Sequence, residues 1–459
     1  MRPYLRVANV YEDRLDLTDV KEMNFSPKEY EVFRLEHGDV LLNEGQSPHL
    51  VGRPAIWRGE IAGACFQNTL IRFRAHAGVV PGFALAVFRA QMHLLRYLRI
   101  AQITTNIAHL SSGRFAEVEF PLPPTPEQHR ITLEVDKQLT RLDAAVATLN
   151  AVQAKLKRAR ASVLKAAVEG RLVPTEAELA RADGRSYDFA SALLERILAE
   201  RRSRWPKGKK YQPPAEPKTD DLPDLPEGWI WAQVKDVGEV KLGRQRSPEH
   251  HAGPHLRPYL RVANVYEDRL DLTDVKEMNF SPKEYDVFRL ERGDVLLNEG
   301  QSPYLVGRPA IWRGEIAGAC FQNTLIRFRA HAGLLPGFAL TVFRAQMHVL
   351  RYIRIAQITT NIAHLSVGRF VEVEFPLPPT AEQHRIVAEV ERRLSVIDNL
   401  EHTVEQNLAR CGRLRQSILK RAFEGKLVAQ DPFDEPASRL LERIRVMRTK
   451  RDRGARQGR

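Results

Sequence analysis

Residues 2–131 of this 459-residue chain are written out again at 257–386, at a constant offset of 255 positions. About a dozen mild substitutions separate the copies, among them Glu31/Asp286, His37/Arg292, His49/Tyr304, Val79/Leu334, Ala86/Thr341, Ser112/Val367, Ala116/Val371 and Pro126/Ala381. A period this long is no solenoid repeat, because each unit has enough chain to enclose its own core. Two duplicated domains are expected, and whatever one copy binds the other should bind too. Past Ile131 and Ile386 the copies diverge sharply while keeping their apolar spacing.

Within a copy, short β-rich runs at 4–10, 39–42, 55–57, 69–73 and 118–120 alternate with glycine and proline turns, and 83–98 reads as a helix. This pattern predicts a mixed α+β domain that closes at the proline clusters 121–124 and 376–379. Thr125-Pro126-Glu127 then supplies a cap, a first-turn proline and an acidic first turn, so a long helix should follow. Its apolar positions are Val135, Leu139, Leu142, Val146, Leu149, Leu156 and Val163 before Gly170. In the second copy they are Val390, Leu394, Ile397, Val404, Leu408, Cys411 and Ile418 before Gly425. Each helix would run roughly 66 Å at 1.5 Å per residue, which makes it a spacer. Val146 stands where the other helix has Glu401, and Gln153 where it has Leu408, an irregularity that suits two helices packed on each other. The expected fold class is α+β: two duplicated mixed α/β domains, 1–124 and 227–379, separated by long antiparallel helices at 125–170 and 380–425. A connector at 171–226, with a short helix near 189–199 and then a Lys/Pro-rich linker, and a basic tail with a short helix at 426–459 complete the chain.

Lysine and arginine outnumber aspartate and glutamate by 70 to 57, a net charge of +13, which points to a polyanionic partner. The excess concentrates in the tail 439–459, with nine basic residues against Glu442 and Asp452, and again at 201–210. Cys65 and Cys320 occupy the same repeat position and Cys411 stands alone, so no disulfide framework is expected and a reducing cytoplasm fits. The start carries no apolar signal region and no run of 18 apolar residues occurs, which supports neither secretion nor membrane insertion.

No phosphate-binding Gly-x-x-x-x-Gly-Lys-Ser/Thr loop is present, and the histidines show no zinc spacing, so neither a catalytic nor a metal site is expected. Asp224 with Glu239 and Lys241 fits the loose carboxylate and lysine pattern of Mg²⁺-dependent nucleases. That pattern occurs once where everything else occurs twice, and Asp224 falls in a linker, so the nuclease reading ranks last. What recurs is a polar, turn-rich set: Asn9, Asn43, Gln46, Ser47, Arg53, Gln67, Asn68, Gln102, Thr104, Thr105 and Asn106. The second copy repeats it as Asn264, Asn298, Gln301, Ser302, Arg308, Gln322, Asn323, Gln357, Thr359, Thr360 and Asn361. Asn, Gln and Arg can form paired hydrogen bonds to base edges and Thr can meet a thymine methyl, so the set suits DNA readout. The plainer alternative is that these side chains satisfy their own turns.

The ordered series 225–231 (Leu-Pro-Glu-Gly-Trp-Ile-Trp), 259–265 (Tyr-Leu-Arg-Val-Ala-Asn-Val), 293–300, Gln322-Asn323, 358–362 and 376–386 resembles the specificity subunits of type I restriction-modification systems. The resemblance runs through almost the whole chain. It implies two target-recognition domains, each reading half of a split site in double-stranded DNA, held apart by antiparallel helices on which two methyltransferase subunits dock. Methyl transfer from S-adenosylmethionine, and ATP- and Mg²⁺-dependent translocation and cleavage by restriction subunits, would belong to partner chains. A stand-alone DNA-binding protein is the competing reading. Two departures stand out: the two recognition domains are nearly the same, and Met1 falls at the position of Leu256, so the first copy reads as shortened and its opening strand as lacking. Such a domain should be the less stable of the two.

Overall fold

The computed structural model describes residues 1–104, 106–203, 213, 217, 219 and 222–457. They form two compact units, Gln153–Thr403 on one side and Met1–Val152 with Val404–Arg459 on the other, each containing one copy of the repeat. The basic run 204–210 and the last two residues of the tail lie outside the described residues.

In the unit Gln153–Thr403, a four-stranded antiparallel sheet runs in the order Gly238–Leu242, Leu325–Ala330, Val295–Asn298 and Pro309–Ile311. A three-stranded sheet pairs Leu256–Leu260 antiparallel with Lys276–Asn279 and parallel with Cys320–Phe321. Leu260, Val265, Leu296, Trp312, Phe321 and Leu325 fill the space these strands enclose. Helix Pro336–His348 covers the other face, where Phe343 meets Phe328, Phe370 and Phe375 edge-on with ring centroids 4.9, 5.3 and 6.1 Å apart. Such aromatic contacts add about 0.5–1.5 kcal/mol each beyond simple burial.

The unit with the first copy repeats this plan, with Val40–Asn43, Pro54–Ile56 and Leu70–Phe73 in one sheet and Arg2–Leu5, Lys21–Met23 and Cys65–Phe66 in another. The counterpart of the four-stranded sheet has three strands here, and no described segment pairs with Leu70–Phe73 on the side that Gly238–Leu242 takes in the other copy. The expected strand at 118–120 does not form here, whereas its equivalent Glu374–Leu377 is a strand held by Ile230–Gln233. A strand needs a partner for its backbone groups, and among the described residues such a partner is present in the second copy alone. The run at 4–10 also breaks, because the Asn9 Oδ1 accepts the Arg6 N–H at 3.0 Å and folds Val7–Asn9 into a 3₁₀ turn. The helix expected at 83–98 is two, Pro81–His93 and Arg96–Ile100, divided at the left-handed Leu95 (φ 55°).

The spacer helices span Thr125–Val168 and Thr380–Phe423, 44 residues each. In the first unit, Val135, Leu139 and Leu142 share a cluster with Cys411, Leu419 and Ala422, so the beginning of one helix lies on the end of the other. There Arg415 bonds Asp143, and in the other unit Arg160 bonds Asp398 and, at 2.7 Å, Glu401. Asp143 and Asp398 are equivalent repeat positions, as are Arg160 and Arg415, so one contact occurs twice with the helices exchanged. Antiparallel pairing is the arrangement that permits this. Toward each helix end the fully buried residue becomes Leu164 or Leu419, while Val163 and Ile418 are only partly covered. An α-helix drifts about 20° per heptad, which over the four heptads from Val135 accumulates to roughly 80°, close to the ~100° between neighbours. The connector helix Ala190–Ser203 and the tail helix Ala437–Gln457 each return to their own unit through buried Leu193 and Leu440. Among the described residues no helix is long and apolar enough to cross a membrane, and Cys65, Cys320 and Cys411 are buried and free.

Candidate nucleic-acid interface

Each copy extends a β-hairpin, Gln102–Thr104 with Ile107–His109 and Gln357–Thr359 with Ile362–His364. The hairpin adds to the short strand Gly45–Gln46, or Gly300–Gln301, in the register Ala108↔Gln46 and Ala363↔Gln301. Its root is bolted down. Tyr97 and Tyr352 are buried beneath it and their hydroxyls donate to Gln91 and Gln346 at 2.8 Å. Gly52 and Gly307 make room for those rings: at φ 73° and 72°, a Cβ would come within 2.3 and 2.2 Å of the tyrosine Cδ2. Glu44 and Glu299 tie the strand to the hairpin through the backbone bonds of Leu110 and Leu365, both 2.7 Å.

Beyond that root the hairpin leaves the body of the domain. Gln102, Thr104, Asn106, Gln357, Thr359, Thr360 and Asn361 are exposed, and Thr360 sits in the left-handed region at φ 42°. Ile103 and Ile107 are 56% and 48% exposed, and Ile358 and Ile362 are 54% and 48%. Strand residues alternate faces, so exposure on consecutive positions means that both faces meet solvent. Ser47 and Ser302 are exposed at the foot, where Gln46 and Gln301 accept the serine N–H at 3.1 Å. Thr105 lies outside the described residues.

Sequence reasoning missed the cations beside this ridge. Arg354 and Arg369 border a shallow cleft of about 570 Å³ together with Arg351. Arg351 is neutralised by Glu374 (2.6 Å) and Glu372 by Lys235 (2.7 Å), which leaves the cleft positive. Arg99 and Arg114 hold the same positions in the first copy, and Arg114 and Arg369 are braced on the carbonyls of Ile100 and Ile355 at 3.0 and 2.8 Å. The signal in the sequence was the pair of arginines in Arg-Tyr-Leu-Arg-Ile just ahead of the polar run.

Other candidates face inward. Asn9 and Asn264 are 2% exposed; Asn9 donates to the carbonyls of Asp16 and Asp19, and Asn264 to those of Asp271 and Asp274. Asn43 and Asn298 are fully buried and reach the Val10 and Val265 carbonyls. Arg53 and Arg308 donate to those same carbonyls at 2.6 Å and stack on Tyr11 and Tyr266. These side chains serve the fold, which corrects their reading as groups turned toward DNA. Gln67, Asn68, Gln322 and Asn323 lie on a separate loop after the Cys65–Phe66 and Cys320–Phe321 strands. The nuclease-like Glu239 accepts from Arg327 at 2.8 Å, so its carboxylate is already paired.

No family model matches the chain. It is 24% identical over 461 residues to the EcoKI specificity subunit of Escherichia coli, a type I restriction enzyme component, covering 97% of this chain and 88% of that protein. The EcoBI specificity subunit of Escherichia coli is 26% identical over 366 residues, covering 75% and 68%. Among solved structures, a chain from a study of complex assembly in the type I R-M system superposes with a TM-score of 0.61 at 19% identity, covering 93% and 92%. The HsdS subunit from Thermoanaerobacter tengcongensis gives 0.52 at 19% identity, covering 93% and 91%. The resemblance carried by the sequence motifs is thus borne out by relatives along nearly the whole chain, and the fold by both structures.

Proposed function

We propose that this chain is the DNA-recognition subunit of a type I restriction-modification complex, reading a bipartite, near-palindromic site and leaving catalysis to its partners. The observation that carries this reading is the duplicated ridge: both copies present Gln102/Gln357, Thr104/Thr359 and Asn106/Asn361, with exposed isoleucines between them and arginines beside them. Polar tips suit base edges, isoleucines suit thymine methyls, and arginines suit phosphates. Two methyltransferase subunits, with restriction and translocase subunits, would supply S-adenosylmethionine, ATP and Mg²⁺ chemistry in the cytoplasm. Exposed Leu133, Val396 and Leu400 on the spacer helices, 71%, 52% and 48% accessible, support protein docking there.

The test is co-expression with a methyltransferase, followed by binding and cleavage assays. Two methyltransferase subunits per chain and sequence-specific binding lost on joint Gln102→Ala and Gln357→Ala substitution are expected. Reproducible Mg²⁺-dependent cutting by the chain alone, abolished by Asp224→Ala, would overturn the assignment.

A further inference from the structure

His109 and His364 stand in the ridge beside its amides and hydroxyls. His364 lies opposite Gln357 across the hairpin, as Thr359 lies opposite Ile362. Cross-strand partners and alternate residues share a face, so Gln357, Thr359, Ile362 and His364 form one row. In the first copy the row is Gln102, Thr104, Ile107 and His109.

The ring is held in place from the strand at the foot of the ridge. There His364 pairs with Gly300, and His109 with Gly45. A Cβ on either glycine would lie 3.1 Å from the Nδ1 of that histidine, so the imidazole lies across the glycine and a side chain there would push it away. Nδ1 of His364 meets the Glu299 carboxylate at 3.3 Å, and Nδ1 of His109 meets that of Glu44 at 3.5 Å. A carboxylate only accepts, so Nδ1 carries the proton, and in the neutral ring Nε2 keeps its lone pair. Among the described residues no group bonds Nε2, and the side chains of His364 and His109 are 45% and 44% exposed.

We infer that His109 and His364 determine specificity, each accepting at Nε2 a hydrogen bond from the exocyclic amino group of an adenine or cytosine in the major groove. Adenine and cytosine present an amino donor there, whereas guanine and thymine present only acceptors. An acceptor at Nε2 admits the first two bases and opposes the others. The inference rests on the DNA-reading proposal and adds to it the chemical group that one position of each half-site must carry.

The full chain, co-expressed with its methyltransferase, would select from a pool of randomised DNA duplexes at pH 8. One position per half-site should be restricted to adenine or cytosine, and joint His109→Ala and His364→Ala substitution should relax that position alone. Purine in place of that adenine, or 2-pyrimidinone in place of that cytosine, removes only the amino group. Either should weaken binding by the unsubstituted chain about tenfold, the loss of one hydrogen bond, and leave the substituted chain indifferent. Urea unfolding of the two chains should coincide. A consensus unchanged by the substitutions, equal loss at every position, indifference of the unsubstituted chain to the missing amino group, or a shifted unfolding curve would each overturn this inference and leave DNA reading intact. An unsubstituted chain that selects no consensus would overturn both.

Discussion

Glu12 and Glu267 are the residues whose charge the fold relies on most visibly. Burial pushes both carboxyls up, but hydrogen bonds from His93 and His348 and the Arg89 and Arg344 guanidiniums outweigh it and hold both down at about 2. A depressed carboxyl contributes stability that is present above its unfolded value of 4.5 and is lost as pH falls through about 2. At about 1.4 kcal/mol per pH unit, each site contributes on the order of 3 kcal/mol at neutral pH. Denaturant titrations from pH 6 to pH 2 should show that fall, and joint Glu12→Gln and Glu267→Gln substitution should flatten it; an unchanged acid limb would contradict the assignment. Gly307→Ala forces a Cβ to within 2.2 Å of the Tyr352 ring at a positive φ, and should cost at least ~2 kcal/mol in urea unfolding. At this scale the sequence was a partial guide. Asn43 and Gln102 look alike as turn-region amides, yet one is fully buried and the other exposed, because depth depends on long-range strand pairing that local pattern does not carry.

Among the elements, the hairpin is where surface chemistry and stability separate. Gln357→Ala and Thr359→Ala remove exposed side chains, so unfolding should move by less than ~0.5 kcal/mol while specific DNA binding weakens by about 1–3 kcal/mol. Arg354→Ala should weaken all DNA sequences alike and lower the salt slope by about one. Loss of stability in step with loss of binding would place these side chains in the fold instead. The long helices were legible to within a residue or two, since a cap, a heptad and a terminal glycine are all local signals. The hairpin itself was not: Ile-Thr-Thr-Asn-Ile read as a polar loop, because its strands are three residues long and pair with a two-residue strand more than fifty positions away. The single opening strand that the first copy reads as lacking is, in the second copy, two, Ile230–Gln233 and Gly238–Leu242, in different sheets and joined by the helical turn Val234–Val237.

For the whole molecule, the repeat was the most legible feature, and each unit indeed encloses one copy. What linear boundaries did not convey is that each unit also takes the beginning of one spacer helix and the end of the other. The duplicated ridge and the exchanged Asp143–Arg415 and Asp398–Arg160 contacts carry one consequence: the two half-sites should be the same sequence on opposite strands, as for symmetric dimers. His49/Tyr304, at the exposed foot of the ridge, and Ser112/Val367 are the substitutions able to change one base pair of preference. The most direct measurement is to map methylated bases in a genome that expresses this chain with its methyltransferase. An interrupted site whose halves are inverted repeats, differing at no more than one position, is the predicted result. Two unrelated half-sites would contradict it.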